Sequence, residues 1–193
     1  MIVWVTNMEI TMRLNSAYEK CRGMTLIELL VVLSIIGVMA SVILASLNDA
    51  RTSAKYTVAR QEMKQISDAT LTINSSQNLW TLTGSNCSDC VCRYEYGGPA
   101  DLKNLDQSHN CFTNWRSAIT RIDAYSDYIN GIEPLLRDPW GSPYLLDENE
   151  REWTSPNDCV NDVLRTAGPD GQTSTSDDYV IFIPLRTAAC IGR

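Results

Sequence analysis

Residues 22–47 read RGMTLIELLVVLSIIGVMASVILASL. From Leu29 to Leu47 the run has 19 residues without a charge, and one carboxylate, Glu28, stands at its mouth. At a rise of about 1.5 Å per residue the run reaches about 28 Å as a helix, roughly the hydrocarbon thickness of a bilayer. A secretory signal has only about 7–15 apolar residues, so this run is too long for one. It holds no proline. A continuous membrane-spanning helix is the direct reading. Glu28 is the exception within it, and an ionisable group in or beside a span marks function by default.

The whole chain has 193 residues, which suits one domain of ordinary size plus an attached segment. Acidic residues number 23 against 16 basic ones, a formal charge of −7. A protein that binds a polyanion needs the reverse, so nucleic acid is not an expected partner. The surplus of acid favours a cation site instead. Of seven cysteines, Cys21 precedes the apolar run, and Cys87, Cys90, Cys92, Cys111, Cys159 and Cys190 follow it. That segregation places everything downstream in an oxidising compartment and predicts disulfides there. Basic residues do not decide the topology: Arg13, Lys20 and Arg22 precede the span, and Arg51, Lys55 and Arg60 follow it.

Lys20, Cys21, Arg22 and Gly23 form a short basic stretch ending in glycine, followed by Met24, Thr25, Leu26, Ile27 and Glu28. This stretch resembles the processing signature of type IV pilins and type II secretion pseudopilins. The resemblance implies a leader that ends at Gly23, a cut by a prepilin peptidase between Gly23 and Met24, and N-methylation of Met24. Glu28 is then the fifth residue of the processed chain. It further implies a single-pass protein of the inner membrane with its head outside the cytoplasm. An inner-membrane assembly platform would pack it, with copies of itself and other pilins or pseudopilins, into a periplasmic or extracellular filament. Met24 stands where the family commonly has Phe, and the proline that often kinks the family's helix is absent, so a straighter helix is expected. Met12 offers an alternative start, giving MRLNSAYEKCRG as the leader.

Physics gives Glu28 a role in such a filament. Cleavage frees an amine at Met24, and the carboxylate of a neighbouring subunit can pair with it. Removing one partner of a buried ion pair typically costs about 3–5 kcal/mol. A subunit shifted along the axis would therefore be penalised, whereas an apolar stripe alone would let it slide.

Beyond the span, Ala59, Met63, Ile66, Ala69 and Ile73 recur at helical spacing. They predict one helix from Met24 to about Ser75, about 78 Å long. Residues 77–114, rich in Ser, Asn, Asp, Gly and Cys, read as a long loop held by cross-links. The Cys87–Cys90 spacing also suits zinc, with Cys92, Cys111 or His109 as further ligands. One crowded cluster in a secreted head favours disulfides, and His109 is then a surface residue without a role. Thr113 or Asn114 is the expected cap of a second helix carrying Trp115, Ile119, Ile122, Tyr125 and Ile129 and ending at Gly131. In RDPWGSPYLL, Pro139, Gly141 and Pro143 punctuate a turn that leads into a strand at Tyr144–Leu146, with Trp140 and Tyr144 as packing residues. Asp162–Thr166 and Tyr179–Pro184 supply two further strands. The fold class is α+β: a long N-terminal helix, membrane-spanning in its first half, packed on a small antiparallel sheet. The resemblance implies the same pilin-like fold. The expected organisation is leader 1–23, filament helix 24–47, its continuation 48–75 and a head 76–193.

The stretch AGPDGQTSTSDDY, residues 167–179, lies between the last two strands. Its glycines permit tight bends, and its aspartates gather oxygen ligands of the kind Ca²⁺ takes. It resembles the calcium loop of major pseudopilins, as DPWGSPY resembles the turn that begins their sheet. By that resemblance Asp170 and Asp177 are side-chain ligands, Asp178 is a substitute, and the carbonyls of Ala167 and Thr175 complete the set. Cys159 and Cys190 flank the last two strands, and a bridge between them would staple the chain end to the sheet. One histidine and the absence of Gly-x-Ser-x-Gly and His-Glu-x-x-His patterns argue against an enzyme. The competing reading is a membrane-anchored metal-binding or receptor head that does not polymerise.

Overall fold

The computed structural model describes residues 23–73, 78–126, 128–150 and 159–191. The expected leader apart from Gly23, including Lys20, Cys21 and Arg22, and the helix end expected at Ser75 lie outside them. The chain divides into two units, residues 1–45 and 46–193. Helix α1 (Leu26–Thr72) contributes to both.

In the first unit every described side chain is exposed. Leu26 is 75% exposed and Ile27 73%, although both are strongly apolar. A helix that is apolar on all sides needs an apolar surrounding, either lipid or other helices. Its hydroxyls are prepared for that medium. Ser34 donates to the Leu30 carbonyl at 2.8 Å and Ser41 to the Val38 carbonyl at 2.7 Å, so neither presents an unpaired donor.

In the second unit α1 buries one face. Ala59, Met63, Ile66 and Ala69 are fully buried, and Ile73 nearly so. Against that face pack α2 (Leu79–Thr83), α3 (Asn110–Tyr125) and the inner side of a three-stranded sheet. The sheet has β1 (Leu145–Asp147), β2 (Asp162–Thr166) and β3 (Tyr179–Ile183), antiparallel and in sequence order. Leu146 pairs with Leu164 and Leu164 with Ile181, which fixes the register of the inward-facing apolar row. β3 stops one residue before Pro184, which has no N–H to give a ladder. The centre of the core is Trp115 and Tyr144, with ring centroids 5.9 Å apart edge to face. The indole donates to the Leu135 carbonyl at 2.9 Å, and the Tyr144 hydroxyl donates to Glu62. Trp140 is not a core residue. It lies half-buried with its ring 4.8 Å from Tyr56 on α1.

The second helix departs from expectation at both ends. It begins at Asn110, not near Thr113, because His109 is its cap: the imidazole Nδ1 accepts from the Cys111 amide at 3.1 Å. His109 is therefore half-buried and structural rather than an idle surface residue. The helix ends at Tyr125, not at Gly131, because Ser126 turns to extended backbone. The Ser126 hydroxyl accepts from the Tyr128 amide at 3.1 Å and meets the Thr72 hydroxyl at 3.1 Å, offering the chain an alternative to another helical turn. Ile129 is still buried, but from the following loop. The stretch read as a loop from Gln77 also contains α2. Leu79 and Leu82 share one buried face, and Gly84 closes the helix at φ 77° with its amide on the Trp80 carbonyl.

Residues 147–150 (DENE) hold the long loops in place. Glu148 is fully buried and accepts from the hydroxyls of Thr83 at 2.7 Å and Ser88 at 2.6 Å and from the Ser88 amide at 2.8 Å. Glu150 accepts from the amides of Arg186 and Thr187 at the other end of the chain, at 3.0 and 2.8 Å. Asp147 binds Arg93. The disulfides are Cys87–Cys90, Cys92–Cys111 and Cys159–Cys190, so the expected staple of the chain end is present.

Burial pushes Glu148 and Asp162 up to about 7, above their ordinary values of 4.5 and 3.8. The folded head therefore binds more protons than the unfolded chain between about pH 4 and pH 7. Stability should fall as pH rises through that window and level off above it. The urea midpoint should be higher at pH 5 than at pH 8, and Glu148→Gln should flatten the slope. A midpoint that climbs from pH 5 to pH 8 would contradict this account.

Candidate functional site

The start of α1 is built from three residues. Thr25 precedes the first helical residue, and its Oγ1 accepts from the Glu28 amide at 3.2 Å. The Glu28 carboxylate reaches back to the Thr25 amide at 2.8 Å and the Thr25 hydroxyl at 2.9 Å. This is a reciprocal capping box, which satisfies two amides that a helix start otherwise leaves open. The sequence signal for it, Thr-x-x-Glu before an apolar run, is present in TLIE at residues 25–28 but is hidden behind the more conspicuous question of the charge. Glu28 sits in the first turn, where the helix dipole also favours a negative charge. Met24 is 62% exposed immediately before the box.

The acidic loop lies in the second unit, between β2 and β3. Asp177 Oδ2 accepts from the Asp170 amide at 3.0 Å, and the Thr175 hydroxyl reaches Asp177 Oδ1 at 2.6 Å and Asp178 Oδ1 at 3.1 Å. Asp170 accepts from the Gln172 amide at 2.7 Å, Asp178 from the Ser174 amide at 2.9 Å, and the Ala167 carbonyl from the Gly171 amide at 3.2 Å. The loop thus brings the sequence-selected residues into one turn, but by their amides and hydroxyls. Gly168 has φ 61°, and a Cβ there would meet the Asp177 carbonyl oxygen at 2.5 Å, so the turn requires glycine. The Tyr56 hydroxyl donates to that same carbonyl at 2.7 Å and ties the loop to α1. Burial, then the charges of Asp177, Asp178 and Asp170, push the Tyr56 phenol above its ordinary value. Burial works against the charge of Asp177, but its hydrogen bonds from Thr175 and Asp170 outweigh that and hold it below the ordinary range. Burial raises Asp178.

Among the described residues, the one group of three Cys, His or acidic side chains with ligand atoms within 4.8 Å of one another is Cys87, Asp89 and Cys90. The cysteines of the first loop are joined as disulfides, and His109 is a helix cap, so the zinc-like reading of their spacing is replaced by cross-links.

Among the described residues one helix, α1, is long and apolar enough to cross a membrane, and none of its apolar window is buried within the chain. A capped apolar helix with a carboxylate in its first turn, continued into a disulfide-linked α+β head, defines a protein of pilin-like architecture. The comparisons agree. Residues 19–44 match the prokaryotic N-terminal methylation motif. The chain is 27% identical over 169 residues to the type II secretion system core protein G of Escherichia coli (strain K12), covering 84% of this chain and 91% of that protein. No solved structure matches the chain. By its methylation motif and by this similarity over most of its length, the chain resembles the type IV pilins and type II secretion pseudopilins, and among them the major pseudopilins.

The capping box makes its own prediction. Thr25→Ala removes the Oγ1 acceptor and should cost the helix start about 1 kcal/mol. Amide exchange of the protein in detergent micelles should quicken at Glu28, and unchanged protection there would show that the box does not hold in solution.

Proposed function

We propose that this chain is a structural subunit of a type II secretion pseudopilus. The observation that carries the reading is Glu28, held in the first turn of a helix that is apolar all round, within a methylation motif. The similarity to core protein G over most of the chain supports the secretion system rather than an adhesive pilus.

In this reading a prepilin peptidase cuts between Gly23 and Met24, and the new Met24 amine is methylated. The subunit waits in the inner membrane with its head, and therefore its disulfides, outside the cytoplasm. The assembly platform then packs α1 against neighbouring helices. Inside that bundle Glu28 pairs with the Met24 ammonium of the next subunit. The capping box holds the carboxylate one residue away from the chain's own new terminus, so both charges enter the bundle at one level. Partners are copies of this chain and other pseudopilins, and the chain performs no catalysis.

Two measurements test this. N-terminal sequencing of the native protein should begin at Met24 in a strain that has the peptidase. Glu28→Ala should insert in the membrane at normal levels yet form few or no filaments when overproduced. Intact leader on the native chain, or normal filaments from the variant, sinks the proposal.

We also infer that residues 167–178 hold Ca²⁺, with Asp170 and Asp177 as side-chain ligands, Asp178 as a substitute and the Ala167 and Thr175 carbonyls as further donors. The donor set supports this: every group is a hard oxygen, and three aspartates share a loop whose charge Tyr56 feels. Each carboxylate already accepts from the loop's own donors, and the second lone pair of each oxygen is what a cation would use. Bound calcium would stabilise the head by about 2.7 kcal/mol at a hundredfold excess over its Kd. Adding calcium should raise the melting temperature of the purified protein, and Asp177→Ala should remove the increment. Equal melting temperatures with calcium and with chelator would remove calcium from this account and leave the filament reading untouched.

A further inference from the structure

Cys87 and Cys90 enclose Ser88 and Asp89. The two enclosed residues are the buried ones, 3% and 1% exposed. Ser88 gives both its amide and its hydroxyl to Glu148. The Asp89 amide donates to the Leu146 carbonyl at 2.9 Å, and its carboxylate binds Arg93 at 2.8 Å and faces Arg165 Nε at 3.6 Å. The turn is therefore fixed to β1 by contacts that do not involve sulfur. Both cysteines sit half-buried at its rim, whereas Cys92 and Cys111 are 1% exposed or less and the third bridge has one half-buried end, Cys159, and one buried end, Cys190.

The three bridges also differ in what they constrain. Their sequence separations are 3, 19 and 31. The loop entropy removed from the unfolded chain grows with the logarithm of loop length, so the Cys87–Cys90 bridge contributes least to the fold. A bridge with both ends partly open to solvent and a short loop is the more readily exchanged with thiols. Opening it would leave two sulfurs held close together beside a carboxylate. Cys87 Sγ is 3.3 Å from Asp89 Oδ1, and this trio is the group identified above as having ligand atoms within 4.8 Å.

We propose that Cys87–Cys90 is a reversible thiol–disulfide site whose reduced form is a preorganised chelate for one thiophilic divalent cation, bound by the two thiolates beside Asp89. The reductant is a small thiol or a dithiol protein. Its thiolate attacks one sulfur, forming a mixed disulfide and releasing the other cysteine. A second thiolate of the reductant attacks the reductant's sulfur in that mixed disulfide and displaces the remaining cysteine thiolate, so the reductant leaves as its own disulfide. Two electrons pass to the chain, and two protons complete its thiols. Binding of the cation releases those two protons again. The inference does not depend on filament assembly.

The full oxidised chain, purified in detergent micelles, is equilibrated with graded ratios of reduced to oxidised glutathione, trapped with N-ethylmaleimide and mapped by mass spectrometry. Cys87 and Cys90 should be labelled together at about a tenfold lower ratio than either other pair. The selectively reduced protein should then bind one cadmium ion per chain, read by the ultraviolet thiolate-to-cadmium band, and the oxidised protein none. C87S/C90S should keep the other two bridges and lose cadmium binding. If that variant does not fold, capping the selectively reduced native chain with N-ethylmaleimide must abolish the band. Opening of another pair first, opening of all three together, or a selectively reduced chain that takes up no cadmium would overturn the proposal.

Discussion

The head is organised by one apolar stripe. Ala59, Met63, Ile66, Ala69 and Ile73 come to the same side of α1, and α2, α3, Tyr144 and the inner row of the sheet all pack on it or on one another. A sheet of three strands, two of them five residues and one three, is too small to persist alone. It is stable here because the helix covers its inner face. The same helix has no such stripe before residue 46, where it is apolar around its whole circumference and buries nothing within the chain. One element thus carries two patterns, and each pattern states the medium it needs.

Polar anchoring completes what the stripe cannot. Long stretches of the head lack hydrophobic periodicity, and they are held by buried carboxylates and by sulfur. Glu148 holds the segment that follows α2, Glu150 holds the chain end, and Asp89, Arg93, Asp147 and Arg165 form a half-buried ion network under the first cysteine loop. Such groups are strong only as a set, because each one left unpaired in the interior costs more than the pair contributes. The disulfides at Cys92–Cys111 and Cys159–Cys190 close the same segments covalently.

At the start of α1 the single charge of the apolar run is never idle. Its carboxylate satisfies the amide and hydroxyl of Thr25 in the isolated chain, which lowers the penalty of carrying it at the edge of a membrane. In the proposed filament the same carboxylate would be available to the ammonium of a neighbouring subunit. A cap and an assembly contact can use one group because both ask for a negative charge at a helix N-terminus.

The sequence by itself determined the elements whose signal is local. The apolar run, the spacing of 3 and 4 from Ala59 to Ile73, the alternation of Asp162–Thr166 and the β-branched run after Tyr179 each state their own secondary structure within a few residues, and the chain folds accordingly. The motif around Gly23, Met24 and Glu28 is equally local, and the methylation-motif match at residues 19–44 covers it. Only the tertiary structure decided how Cys87, Cys90, Cys92 and Cys111 pair, that His109 caps α3, that Ser126 rather than Gly131 ends it, and that residues 147–150 hold the loops. Those choices depend on groups brought together from far along the chain, such as Glu148 and Ser88 or Ser126 and Thr72. A buried polar contact is fixed by the partner that folding delivers to it, and no periodicity in the chain announces that partner in advance.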